Sequence, residues 1–139
     1  MEGKKVLVTI SNGKVFSAGY NLKELMKPSV SNISYGILGQ TLTQKVLNLN
    51  MPTLAVVNGH AIAAGLWLAL CHDRIIMVND EKTYMLLNEL QNGITFSSSD
   101  ARLPMELLSP TTGRQLLMGY KFYSKDAYDE RIVRGLFSS

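Results

Sequence analysis

Two bends built from small residues, and one glutamate just beyond an apolar run, are the positions in this 139-residue chain best suited to chemistry. The first bend is Ser17-Ala18-Gly19-Tyr20-Asn21 and the second is Ala63-Ala64-Gly65. Leu22, Leu25 and Met26 follow the first at helical spacing, and Leu66, Leu68, Ala69 and Leu70 after the second read as a buried helix ending near His72 and Asp73. The opening N–H groups of such a helix have no partner inside it, and small side chains let a ligand oxygen approach the backbone, as an anion or oxyanion site requires. Close packing of a helix on a sheet demands the same small residues, so the bends alone leave both readings open. Glu89 comes just after the apolar stretch TYMLL, where a carboxylate is either solvated or used. His60 and His72 stand without a second ligand cluster and read as structural, His72 near the negative end of a helix dipole. Cys71 is the only cysteine. It reads as a small core hydrophobe and leaves neither a disulfide framework nor a cysteine-based zinc site within one chain.

The elements that must position these residues alternate along the chain. Residues 5–10 (KVLVTI) are strand-like, residues 11–14 supply turn chemistry, and Val15 and Phe16 resume an apolar course. Residues 27–34, with Pro28 and three serines, read as a mobile loop, and Leu38, Leu42, Val46 and Leu49 mark one face of an amphipathic helix. Residues 53–57 (TLAVV) are apolar without alternation, the pattern of a strand buried on both faces, and Asn58-Gly59 breaks it. Residues 74–78 (RIIMV) and 83–87 are further strands, and Gly93 with Ser97, Ser98 and Ser99 makes a loop. A helix is expected over 100–108 with Pro104 near its start. Ser109 and Pro110 suit the N-cap and first position of another, and Ser124 suits the cap of a last one running to about Arg131. Strand and helix in alternation imply parallel strands with right-handed crossovers.

Composition bounds the partners. With 46% hydrophobic and 18% charged residues, the chain has the make-up of one globular domain with a sizeable core. Its apolar stretches fall short of the roughly 20 residues of a membrane span, and MEGKK leads into no signal-peptide core, so an intracellular protein is expected. The net charge of +3 is mild and its basic residues are scattered, where a nucleic-acid footprint would need them gathered on one face; a few of them near a pocket would suit a phosphorylated, nucleotide-bearing ligand.

In sequence order these motifs resemble the crotonase superfamily, the enoyl-CoA hydratase and isomerase group. Residues 16–24 (FSAGYNLKE) look like that family's F-S-A-G-x-D-x-K-E segment, with Asn21 in place of Asp. Residues 52–65 (PTLAVVNGHAIAAG) look like P-x-x-A-x-x-x-G-x-A-x-G-G-G, with Ala63 and Ala64 where glycines are common, and Asp73 matches the Asp that closes the following helix. Residues 120–133 are similar, more loosely, to a later family stretch. Residues 88–94 (NELQNGI) resemble the N-E-x-x-x-G-I segment of the Δ3,Δ2-enoyl-CoA isomerases.

The resemblance implies an α/β fold, a spiral of ββα turns with parallel sheets and crossover helices, that binds an acyl-CoA thioester. Its carbonyl oxygen would be held by two backbone N–H groups at positions matching Tyr20 and Ala64, with Ser17, Ala18, Gly19, Asn21, Ala63, Gly65 and Trp67 around the substrate. Backbone donors tolerate side-chain change: Ala at position 64 removes no N–H. Hydratases of the family use two glutamates; Trp67 stands at the position of the first and cannot transfer a proton in that role, while Glu89 matches the second. One carboxylate suffices for isomerisation, because it can take a proton from C2 and return it to C4. A carboxylate ending a hydrophobic run should also have a raised pKa, as such a base needs.

The expected function is therefore a 3-enoyl-CoA to 2-enoyl-CoA isomerase of fatty-acid β-oxidation, in a peroxisome or mitochondrion, with a homo-oligomer (a trimer in full-length relatives) as its assembly. No metal is expected, and no cofactor beyond the coenzyme A carried by the substrate. The alternatives are an inactive or truncated acyl-CoA-binding or interaction module, and an enoyl-CoA hydratase. Against the family pattern, residues 1–139 read as a partial core domain without the N-terminal strands and C-terminal helices. Such a chain is expected to be poorly stable or self-associating.

Overall fold

The architecture, seen in a computed structural model, is described for residues 3–25 and 30–138. Two consecutive strands followed by a helix form the repeating unit, and each unit places its first strand in one sheet and its second in another. The first unit comprises β1 (Leu7–Ile10), β2 (Val15–Ser17) and helices α1 (Leu22–Leu25) and α2 (Val30–Leu47). The second is β3 (Thr53–Val57), β4 (His60–Ile62) and α3 (Ala64–Leu70), and the third is β5 (Arg74–Val78), β6 (Tyr84–Leu86), α4 (Ser98–Leu107) and α5 (Pro110–Leu117). The chain finishes through β7 (Phe122–Tyr123), α6 (Ser124–Asp129) and β8 (Gly135–Phe137). One sheet has the order β1-β3-β5-β8, parallel throughout. The other has the order β2-β4-β6-β7, parallel except for the antiparallel β6–β7 pair.

Successive units are tied at their corners by side chains. Asn58 accepts the Ser11 N–H at 3.3 Å and donates through Nδ2 to the Ser11 and Gly13 carbonyls at 2.8 and 3.1 Å, so the β3–β4 corner sits on the β1–β2 corner. Asp73 accepts from both the N–H and the hydroxyl of Thr53, at 2.7 and 2.9 Å, and its own N–H donates to that hydroxyl. The end of α3 is thereby pinned to the start of β3. Between the sheets, Val57, Leu66, Met77, Met85, Leu87, Leu116, Phe122 and Val133 are buried and form the core against which α3, α5 and α6 pack.

Several expectations hold to the residue. Strands 53–57 and 74–78 are β3 and β5, and Ser109 caps α5 by accepting the Thr112 N–H, with Pro110 at its first position. Others need correction. In β3 the inward Thr53, Ala55 and Val57 are buried but Leu54 and Val56 are only half-buried, beside exposed Val8 and Ile10 on β1, so this strand is not covered on both faces. Within the loop expected over 27–34, residues 27–29 lie outside the described residues, as does Met26, and the chain is already helical from Val30. On α2 only Val46 of the expected apolar stripe is buried; Leu38 and Leu42 are more than half exposed, and Leu49 lies beyond the helix end. Pro104 falls inside α4 rather than near its start, because the Ser97 side chain begins that helix with a reciprocal cap to Asp100. Ser124 caps nothing: it is buried and donates to the Asp80 carbonyl at 2.7 Å, a tertiary contact 44 positions away.

Candidate active site

The first bend takes its shape from a hydroxyl and a glycine. Ser17, ending β2, accepts the Gly19 N–H on its Oγ at 3.2 Å, and Gly19 has φ +85°, a conformation that side-chain-bearing residues rarely adopt. Asn21 then starts α1: its carbonyl accepts the Glu24 and Leu25 N–H groups, and its Oδ1 accepts the Lys23 N–H at 3.1 Å. In the second bend, Ala63 leaves β4 at φ 51°, ψ −129°, bonded through its N–H to the Leu86 carbonyl at 2.8 Å, while its own carbonyl receives the Leu66 and Trp67 N–H groups. Ala64 is the first residue of α3, so its N–H has no partner within that helix.

The two bends touch backbone to backbone. A Cβ on Gly19 would lie 2.9 Å from the Ala64 nitrogen, and one on Gly65 would lie 2.3 Å from the Ser17 carbonyl oxygen. Helix packing on the sheet and close approach of backbone amides are therefore both present: Gly65 serves the first and Gly19 the second. A cavity of about 820 Å³ opens beside them. Ser17, Ala18, Gly19, Tyr20, Ala63, Ala64, Trp67 and Glu89 all contribute to its wall, whereas Asn21 and Gly65 do not.

Glu89 enters this cavity from the turn after β6. Its carbonyl accepts the Asn92 and Ile94 N–H groups, both at 2.9 Å, around a 3-10 turn over Leu90–Asn92 that closes at Gly93. Its Oε1 accepts the Trp67 indole N–H at 3.1 Å. The other oxygen, Oε2, is buried without a hydrogen-bond partner among the described residues. Burial pushes the Glu89 carboxyl above its ordinary value; its backbone N–H and the Trp67 indole oppose that rise, and the Asp100 charge adds to it. A carboxyl held above its ordinary value is a stronger proton acceptor once ionised, as a proton shuttle requires.

Much of the remaining wall is apolar and came without warning in the sequence, although Gln40, Thr43, Asn92, Asp100, Arg102 and Glu106 also border it. Leu22 and Leu25 from α1, Leu42 and Leu47 from α2, Leu68 from α3 and Leu103 from α4 line it, with Ile94 and Phe96 from the segment between. Phe96 meets the Trp67 ring edge-on at 5.8 Å. Leu42 and Leu47 explain why α2 has no covered stripe: part of its apolar surface faces the cavity. The histidines are structural. His72 is buried between the Leu68 carbonyl and the Thr9 hydroxyl, at 2.8 Å each, and His60 accepts the Tyr84 N–H. Cys71 also reaches the wall, but burial pushes its thiol up to about 11, which leaves it unreactive. Among the described residues no cluster of His, Cys, Asp and Glu could hold a metal ion, and no helix is long and apolar enough to cross a membrane.

Comparison with known proteins points the same way as this geometry. The family model described as enoyl-CoA hydratase/isomerase matches residues 2–139. A peroxisomal enoyl-CoA delta isomerase 2 of Arabidopsis thaliana is 32% identical, the match covering 92% of this chain and 56% of that protein. A carnitinyl-CoA dehydratase of Shigella flexneri is 31% identical, covering 95% of this chain and 50% of that protein. Among solved structures, an apo enoyl-CoA isomerase from Mycobacterium tuberculosis superposes with a TM-score of 0.87 at 25% identity, over 96% of this chain and 57% of that one. The chain spans about half the length of the curated relatives it matches.

Proposed function

Because this chain belongs to the enoyl-CoA hydratase/isomerase family and has its crotonase-type ββα spiral, we propose that its cavity shifts the double bond of a 3-enoyl-CoA to position 2. Glu89 is the one acid and base. Its Oε2 takes a proton from C2, and the C–H electron pair forms the C1–C2 double bond of a dienolate whose negative charge rests on the thioester oxygen. The same carboxyl returns the proton to C4: the C3–C4 π pair makes the new C–H bond, the C1–C2 pair becomes the C2–C3 double bond, and the carbonyl reforms.

The dienolate oxygen is held by the backbone N–H groups of Tyr20 and Ala64. Donors fixed where charge develops need no reorganisation during reaction, and each is worth about 3 kcal/mol of barrier. The Gly19–Ala64 backbone contact supports this pairing, because it brings the two bends together on one cavity wall. Leu22, Leu25, Leu68 and Phe96 provide the apolar surface for an acyl chain. We favour the peroxisome as the compartment, on the name of the Arabidopsis relative.

The observation that carries the reading is the half-buried Glu89 carboxylate on the cavity wall, one oxygen bonded to Trp67 and the other buried without a hydrogen-bond partner among the described residues. Water addition would need a second acid, and Trp67 occupies the facing position on α3. Incubating the chain with a 3-enoyl-CoA and separating the products tests the proposal: 2-enoyl-CoA should accumulate without 3-hydroxyacyl-CoA. A dominant hydroxylated product would replace isomerase by hydratase.

A further inference from the structure

Trp67 stands where it cannot move a proton, yet it touches the group that does. It is the only tryptophan in the chain. From α3 its indole Nε1–H reaches Glu89 Oε1 at 3.1 Å, while Phe96 holds the ring edge-on from the opposite segment. An indole N–H is a donor only and has no acceptor lone pair, so it can bind the carboxyl at one oxygen and cannot exchange roles with it. The two carboxylate oxygens are consequently inequivalent: Oε1 is occupied, and Oε2 is buried with no hydrogen-bond partner among the described residues.

We propose that Trp67 is a positioning residue for Glu89, its indole N–H anchoring Oε1 so that Oε2 alone takes the proton from C2 and delivers it to C4. This rests on the reading of Glu89 as the shuttle and adds what fixes its geometry. A carboxyl free to rotate could present either oxygen; one clamped at Oε1 keeps a single basic atom aimed at the substrate through both transfers. The same bond stabilises the ionised form against burial, so the base is available at lower pH than burial alone would allow. Other titratable or charged groups on the cavity wall are Asp100, Arg102 and Glu106 from α4, Arg102 being paired with Glu106 at 2.9 Å, together with Tyr20 and Cys71.

A lone tryptophan gives one indole N–H resonance, which reads the bond without turnover. In the full chain labelled with nitrogen-15, that resonance should titrate with a midpoint above the ordinary glutamate value, and the titration should vanish in Glu89→Gln. A resonance insensitive to pH, or one that titrates identically in Glu89→Gln, overturns the proposal. Kinetically, Trp67→Phe keeps a ring in place but removes the donor, and loss of a hydrogen bond to a charged group should lower kcat roughly ten- to hundredfold with KM little changed. The acidic limb of its pH profile should move to higher pH. A lowered kcat with the limb unmoved would mean Trp67 only fills space. If Glu89→Gln itself turns over substrate like the parent chain, the shuttle assignment fails; if Glu89→Gln is inactive and the limb in Trp67→Phe stays put, only the positioning role fails.

Discussion

The α-carbon of Gly19 faces the amide nitrogen of Ala64 so closely that a methyl group there would sit 2.9 Å from it. Gly19 also has φ +85°, so Gly19→Ala meets both a steric and a conformational penalty. The variant should lose about 1 kcal/mol or more of stability in urea denaturation. Its turnover should fall further than the stability loss explains, by about two orders of magnitude if one oxyanion donor is displaced. Wild-type kcat in a folded Gly19→Ala chain would remove the two bends from the mechanism.

Glu89→Gln should trade activity for stability. Isomerisation should drop by about a hundredfold or more, because the amide cannot accept the proton. The sign of the stability effect follows from linkage. The folded-state pKa of Glu89 lies above its ordinary value of 4.5, so stability from the neutral acid is fully present below that value and is lost as pH rises through the raised one. The variant never ionises there, so its stability advantage should widen with pH across that window and then level off. Denaturation midpoints measured from about pH 4 to about pH 8 check this; parallel curves for the two chains would contradict it.

Asp73 should act in the opposite direction. Its hydrogen bonds from the Thr53 hydroxyl and N–H hold its carboxyl below the ordinary 3.8, so its contribution is present above that value and is lost as pH falls through the depressed one. Asp73→Asn should therefore lower the urea midpoint at neutral pH and flatten the loss of stability in strong acid. An acid limb as steep as that of the parent chain would assign acid unfolding to other groups.

Ala63→Gly should stabilise the fold. At φ 51°, ψ −129°, Ala63 occupies backbone space that glycine enters freely, and relief of such strain is worth about 1 kcal/mol after the entropy glycine adds to the unfolded chain. Because the Ala64 N–H is untouched, turnover should be retained. A lower denaturation midpoint would show that the methyl group packs better than the backbone strains.

How much of this was legible depended on whether the deciding interaction was local. β3 and β5 announced themselves because β-branched and apolar residues run without interruption, and α5 because Ser109 and Pro110 carry their own capping chemistry. β4 escaped notice: three residues after Asn58-Gly59 are too few to show a period, and their strand character comes from pairing with β2 and β6. Ser124 looked like a cap because the serine type says nothing of Asp80, 44 positions away. Helix from Val30 was hidden by serines that favour loops in isolation. At the site, Glu89 and the two bends could be read from residue type and order. The Trp67–Glu89 bond could not, since 22 positions separate partners that only the spiral brings together.

The spiral also implies an order of assembly. In the first sheet residue 54 pairs with 74, residue 8 with 54, and residue 76 with 135. Loop-closure entropy grows with the logarithm of the chain enclosed, so joining β3 to β5 is easier than joining β5 to β8 by roughly 1 kcal/mol. Folding should therefore nucleate in residues 53–78, with α3 already formed, and β8 should dock late. Ala55→Gly would then slow folding, while Val133→Ala would mainly hasten unfolding; the reverse pattern in stopped-flow chevrons would discard this order. The Ala64 amide would be set early within that nucleus, and its counterpart beside Gly19 would arrive only when the first strands close onto it.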